Sequence, residues 1–278
     1  MGIESNRLLV DIENLAFSGV VLSIEQRAAL QTSLTITREQ YKFSKIYFWG
    51  KILGTKDDYF VAVGVGENEL KNRRFLYSHD CIRWKLLNPP NEEHFNKLKI
   101  VKGRFTGDPS HEFECKTYRL VGEGEEEHLE EDITLLKEED RLAAVIKSIE
   151  SEALVVPRSA FILQPTGQVV RNRLFEGLSV NEAAKFGNYF HFRDAILLEQ
   201  KSPLFRADLD KAVDFLDPIN EDQPEGCWSL QFERGSALAL LKSLKWPGAS
   251  FFHVPETSSF GFSYFGVGEE NKDIPFML

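Results

Sequence analysis

Residues 45–66, KIYFWGKILGTKDDYFVAVGVG, constrain the fold of this chain more than any other stretch. Aromatic and β-branched residues crowd 46–53 and again 59–65, a composition that suits a pleated surface. Between them, Gly54-Thr55-Lys56-Asp57-Asp58 carries a glycine and two aspartates, the chemistry of a hairpin connection. Strict alternation puts Ile46, Phe48 and Ile52 on one side of the first strand and Tyr47, Trp49 and Leu53 on the other. A hairpin that is apolar on both faces has to be covered twice. It is therefore expected at the centre of a sheet, with material packed above and below.

The flanking segments supply that material. Residues 1–40 read as a helical region: Leu8, Leu9, Ile12 and Leu15 recur at helical spacing, and Ser23 with Gln26 forms a capping-box signature for a second helix to about Thr37. The apolar residues of that helix, Ile24, Ala28, Leu30 and Leu34, can lie on the sheet or on a partner. Residues 41–278 read as a single α+β body, mainly an antiparallel sheet with a few flanking helices. Strands are expected at 74–79 and 81–87, then a short helix at 92–98. A strand pair follows at 100–105 and 112–121 across the turn Thr106-Gly107-Asp108-Pro109.

The clearest amphipathic helix is 137–150, where Leu142, Val145, Ile146 and Ile149 share one face. A hairpin at 158–163 and 168–175 precedes a second capping box, Ser179 with Glu182. Residues 203–224 read as irregular. Trp228, Leu230 and Phe232 mark a half-buried strand; 237–246 fits a strand or a short helix, with strand favoured; 250–254 and 260–267 continue the sheet.

Charge is concentrated. Ten acids and one base fall between 123 and 140, so the remainder of a chain of net charge −10 is nearly neutral. Repulsion within 122–132 predicts an acidic loop. Such a surface suits neither nucleic acid nor an anionic membrane, and no apolar run long enough for a membrane span or a signal peptide is present. Cys81, Cys115 and Cys227 are too widely spaced for a zinc site or a disulfide framework and read as reduced, buried thiols.

Catalytic signatures are missing: no phosphate loop, no HExxH, no GxSxG, no calcium loop. Gly64-Val65-Gly66 and Gly266-Val267-Gly268 read as strand-terminal turns. His191, between Phe190 and Phe192, is either a satisfied, partly buried imidazole or a ligand or proton-transfer group. The expectation is a non-enzyme with no cofactor and no metal. With 22 phenylalanines, seven tyrosines and four tryptophans, the chain has aromatic surface to offer partners. The candidate protein interface is Tyr189, Phe190, Phe192, Phe251, Phe252, Phe260, Phe262 and Phe276.

Five blocks, FWGKILGTKDDYFVAVG, VKGRFTGDP, RNRLFEGLSVNEAAKFGNYFHFR, ERGSALALLKSLKWPGASFFH and GVGEENKDIPFML, resemble the radial spoke head proteins of motile cilia. Leu174 departs from the threonine expected there. Length and ending are similar to those of the short branch of that family, since its larger members, radial spoke head proteins 4 and 6, continue well beyond such a point. The resemblance implies a structural subunit of the axonemal radial spoke head, located in the cilium or flagellum. It implies assembly with radial spoke head proteins 4 and 6 and other spoke subunits, transient contact of the head with central-pair projections, and relay of mechanical signals to the dynein arms. The competing readings are a non-enzymatic cytosolic adaptor outside cilia, and an enzyme or ligand-binding module using a pocket in the sheet, which convergent polar groups around His191 would favour.

Overall fold

The computed structural model describes residues 2–19, 22–121 and 128–277. From the N-terminus, β1 (Ile3–Glu4) leads into α1 (Leu8–Asn14) and the long α2 (Ile24–Tyr41). The capping box forms as expected: the Ser23 hydroxyl accepts from the Gln26 amide at 3.1 Å, and Gln26 Oε1 accepts from the Ser23 amide at 3.0 Å. The central hairpin follows as β2 (Lys45–Ile52) and β3 (Tyr59–Val65), then β4 (Arg73–Ser78), β5 (Lys85–Leu86) and α3 (Glu92–Leu98). A long hairpin, β6 (Glu112–Val121) with β7 (His128–Lys137), runs directly into α4 (Glu138–Ala153).

Short pieces come next: β8 (Val155–Pro157), β9 (Phe161–Leu163), β10 (Val169–Arg171), α5 (Val180–Ala183), β11 (Tyr189–His191), α6 (Leu197–Gln200) and α7 (Pro203–Ala207). The chain closes with β12 (Trp228–Glu233), β13 (Leu238–Ser243), β14 (Ala249–His253), β15 (Phe260–Gly266) and α8 (Ile274–Met277).

Nine of these strands form one sheet in the order β12-β13-β14-β15-β2-β3-β4-β5, with β1 also paired to β2. It consists of two antiparallel meanders, β2 to β5 and β12 to β15, joined by the parallel pairing of β15 with β2 at Tyr264↔Gly50, Phe265↔Lys51 and Gly266↔Ile52. That seam brings together residues more than 200 positions apart. It also explains Gly50. The residue sits at φ 152, and a Cβ there would lie 2.1 Å from the carbonyl oxygen of Tyr264.

Trp49 is the extra residue of a β-bulge, where the β2–β3 register shifts between Phe48 and Gly50. The bulge corrects the expected faces. Ile52 lies on the side of Tyr47 and Trp49, together with Tyr59, Val61, Val63 and Val65, rather than on the side of Ile46 and Phe48. The first side packs under α4 through Leu142, Val145, Ile146 and Ile149, all buried. The other side, with Phe60, Ala62, Leu240 and Phe252, packs under Leu8, Ile12, Leu15, Leu30 and Leu34 of the N-terminal helices. The result is a sheet covered twice.

The N-terminal helices therefore lie on the sheet. The buried stripe of α2 is Leu30, Ser33, Leu34 and Thr37, while Ile24 is 85% exposed. Half of that stripe is hydroxyl, which an apolar count overlooks: Ser33 Oγ donates to the Cys81 carbonyl at 2.6 Å and Thr37 Oγ1 to the Ser33 carbonyl at 2.8 Å.

Two further expectations change. Residues 100–105 are not a strand, and Phe105 makes a single bridge to Gly54. The partner of β6 is β7, in register from Glu112↔Lys137 to Val121↔His128. Of the acidic loop expected at 122–132, residues 122–127 lie outside the described residues, while 128–132 belong to β7.

Candidate assembly surfaces

The aromatic residues expected to contact partners are placed inside. Tyr189, Phe190 and Phe192, on and beside β11, and Phe251, Phe252, Phe260 and Phe262, on β14 and β15, are all buried. They pack on one another and on neighbouring rings, Phe161 with Phe192 at 4.5 Å between centroids and Tyr189 with Phe251 at 5.8 Å. Tyr189 also spends its hydroxyl on the Ala183 carbonyl at 2.8 Å. Aromatic density marks the core here. Phe276 differs: on α8 it is 89% exposed.

Exposed apolar side chains occur elsewhere, in places that the alternation pattern does not reveal. Ile36 on α2 and Ile82 in the β4–β5 connection are each about three fifths exposed and flank a groove of 490 Å³ closed at the back by Trp84. Hydrogen bonds fix that connection. Asp80 accepts from the amides of Arg83 at 2.8 Å and Ile82 at 2.9 Å and from Ser78 Oγ at 2.9 Å, and these bonds, the Arg83 amide first, hold its carboxyl far below the usual range. Trp84 Nε1 donates to Ser33 Oγ at 3.0 Å, tying the loop to α2. On β7, Ile133 and Leu135 stand half exposed, and Leu204 of α7 is 80% exposed.

Polar groups in the interior are largely used to hold elements together. Glu138, fully buried at the start of α4, accepts from Tyr59 Oη at 2.8 Å, Thr106 Oγ1 at 2.8 Å, and the amides of Thr106 and Gly107 at 2.9 and 2.7 Å. Further along α4, Glu150 pairs with Arg73 of β4 at 2.5 Å, both side chains buried. Asp217 accepts from Arg193 Nη1 at 2.8 Å and from the amides of Ile196, Leu197 and Leu198 at 2.7, 3.2 and 2.8 Å. Burial pushes that carboxyl up, but the amides and the guanidinium more than reverse it, leaving it below its usual range.

His191 follows the same pattern. Its Nε2 lies 2.8 Å from Asp222 Oδ2, which also accepts from Trp228 Nε1 at 2.7 Å, while Nδ1 is buried without a hydrogen-bond partner. The ring lines a cavity of 280 Å³ beside Cys227. Cys81, Cys115 and Cys227 are free and buried, and burial pushes Cys81 up to about 12 and Cys227 up to about 11. Thiols raised that far are poor nucleophiles. Among the described residues, no three His, Cys, Asp or Glu side chains converge as a metal site, and no helix is long and apolar enough to cross a membrane.

No protein-family model matches the chain. Individual proteins do. It is 50% identical over 276 residues to the radial spoke head protein 9 homolog of Danio rerio, an alignment covering 99% of this chain and 100% of that protein. The chain belongs to the radial spoke head protein 9 family. Members from Bos taurus and Homo sapiens are 46% and 45% identical over 275 residues, again 99% of this chain and all of theirs. The resemblance first seen in five blocks therefore extends over the whole length. Radial spoke heads are structural components of the ciliary axoneme, and radial spoke head protein 9 takes its name from them.

Proposed function

We propose that this chain is a non-enzymatic structural subunit of the radial spoke head, needed for head assembly and for relaying mechanical signals between the central pair and the dynein arms. Identity of 50% across 99% of the chain carries this reading, since a match of that extent takes in surface as well as core positions. The architecture supports it. A sheet covered on both faces, with α4 fastened to it through Glu138 and Glu150, has few independently moving parts and suits the transmission of force. Glu138 and Asp217, which would be candidate acids or bases in an enzyme, are saturated by internal donors.

Radial spoke head proteins 4 and 6 and other spoke subunits are the proposed partners, and head contact with central-pair projections is transient. The test is removal of the protein from a ciliated cell followed by electron tomography of the axoneme. Spokes lacking their heads, restored with motility by re-expression, are expected. Intact heads in its absence would overturn the proposal.

A further inference from the structure

Among the described residues, the ribbon of β6 and β7 pairs with no further strand. Its register runs from Glu112↔Lys137 to Val121↔His128. A two-stranded ribbon in water is marginal by itself, and a third strand or a covering helix is what ordinarily steadies one. At the base of the ribbon one face is covered: Cys115 and Leu136 are buried, and the Arg141 guanidinium of α4 stacks on the Phe113 ring at 4.9 Å. The other face is open there. Ile133 and Leu135, alternate residues of β7, are each 52% exposed.

The ladder decides which way their main chain points. Just below β7 the Glu138 amide donates to the His111 carbonyl at 2.8 Å. Antiparallel pairs alternate between those that exchange hydrogen bonds and those that do not. Counted from Glu138 and His111, Leu136 with Phe113 and Thr134 with Cys115 exchange bonds, whereas Leu135 with Glu114 and Ile133 with Lys116 do not. The N–H and C=O groups of Ile133 and Leu135 therefore point away from β6, towards the outer edge of the ribbon. A second contact agrees: Lys97 Nζ, reaching from α3, donates to the Leu135 carbonyl at 3.2 Å from that outer side, in an exposed position. The same two residues thus present apolar side chains on the open face and ladder groups along the edge.

We propose that the outer edge of β7 is a strand-addition site for an extended, basic segment of a partner polypeptide, its backbone pairing with Ile133 and Leu135 and its alternate apolar side chains covering theirs. An unpaired edge calls for another strand, because only a backbone repeats donors and acceptors at that spacing. Charge selects the sign of the occupant. β7 carries Glu130, Glu131 and Asp132 in succession, with Lys137 at its end. Lysines or arginines on the incoming strand meet opposite charge, whereas a second copy of β7 would set acids against acids. The inference concerns the edge itself and does not depend on the occupant being a spoke subunit.

The test is amide hydrogen exchange of the full-length chain, read at Ile133 and Leu135 with and without synthetic peptides. The probes are acetyl-Lys-Val-Lys-Val-Lys-Val-Lys-amide, the same peptide N-methylated at every valine, and acetyl-Glu-Val-Glu-Val-Glu-Val-Glu-amide. The lysine peptide is expected to slow exchange at both amides, and the glutamate peptide to leave them unchanged. N-methylation removes the donors that a strand needs while keeping charge and side chains, and is expected to weaken binding by roughly tenfold or more. Ile133→Pro, which deletes an outward amide and no ladder bond to β6, is expected to weaken binding by a similar factor, read at Leu135. Equal binding by the N-methylated peptide would reduce the contact to charge, and equal binding by the glutamate peptide would remove the selection of sign. Protection of both amides without peptide, growing with protein concentration, would make the occupant a second copy of this chain. Each of these would overturn the proposal, as would unchanged exchange with every peptide or full binding by Ile133→Pro. Spoke head assembly with this edge unprotected would sink the inference and leave the structural reading intact.

Discussion

Tyr59 donates its hydroxyl to Glu138 at 2.8 Å, joining the central hairpin to the first turn of α4 across 79 residues of sequence. Both residues are fully buried. Burial, and after it the carboxylate, push the Tyr59 hydroxyl well above its usual range. Substituting Glu138→Ala strands the Tyr59 hydroxyl, the Thr106 hydroxyl and two amides without an acceptor. A loss of about 3 kcal/mol or more is expected, read as a shift of the chemical denaturation midpoint. Tyr59→Phe removes one donor and keeps the ring, so it should cost about 1 kcal/mol.

The seam between the two meanders depends on Gly50. Gly50→Ala would drive a methyl group into the Tyr264 carbonyl, and a loss above about 4 kcal/mol, or insoluble protein, is expected. Gly235→Ala is the control: φ is +64 there but nothing lies within 4 Å, so the cost should be about 1 kcal/mol. Thermal unfolding of the two variants side by side separates steric conflict from backbone strain.

His253 sets an acid limit. It is fully buried, accepting the Leu178 amide at 3.1 Å on Nε2, with Nδ1 at 3.1 Å from the Ser259 carbonyl. Burial lowers it from 6.5 to about 4. The unfolded chain thus binds a proton that the folded chain refuses between these values, and stability falls as pH drops through that window. The share from His253 is about 2 kcal/mol at pH 5 and about 3 kcal/mol near pH 4. Urea denaturation of wild type and His253→Asn at pH 7 and pH 5 measures it; a variant that loses as much stability as wild type on acidification would refute the assignment.

The thiols provide a further check. Cys81, Cys115 and Cys227, all buried and all raised by burial, should alkylate negligibly in the native protein at pH 8 and completely in denaturant. Rapid native labelling of any of them would show that the segment carrying it opens.

Core and surface aromatics should separate cleanly. Phe251→Ala is expected to cost about 3–5 kcal/mol, whereas Phe276→Ala, on an exposed ring, should change stability by no more than about 0.5 kcal/mol. Any effect of Phe276→Ala on co-purification with a spoke subunit is then an effect on contact.

Much of this architecture was legible in the chain. The central hairpin was, because its aromatic and β-branched composition and the Gly54–Asp58 connection act locally, and so were the helix starts at Ser23 and Ser179, whose capping boxes are both formed. The β15–β2 seam was not, since pairing at that separation leaves no local trace. Residues 100–105 have a strand-like composition, but β6 pairs with β7, whose acidic run reads as loop in the sequence. The surface fared worst. Aromatic clusters said where mass is needed, and in this fold the mass is internal; Ile36 and Ile82 become neighbours only when the β4–β5 connection docks on α2.

Co-expression of this chain with radial spoke head protein 4 or 6 from the same organism, followed by size-exclusion chromatography of the pair and of each protein separately, tests the central claim most directly. The account predicts one co-eluting complex of defined stoichiometry. Separate elution, persisting when the other spoke head subunits are added, would contradict it.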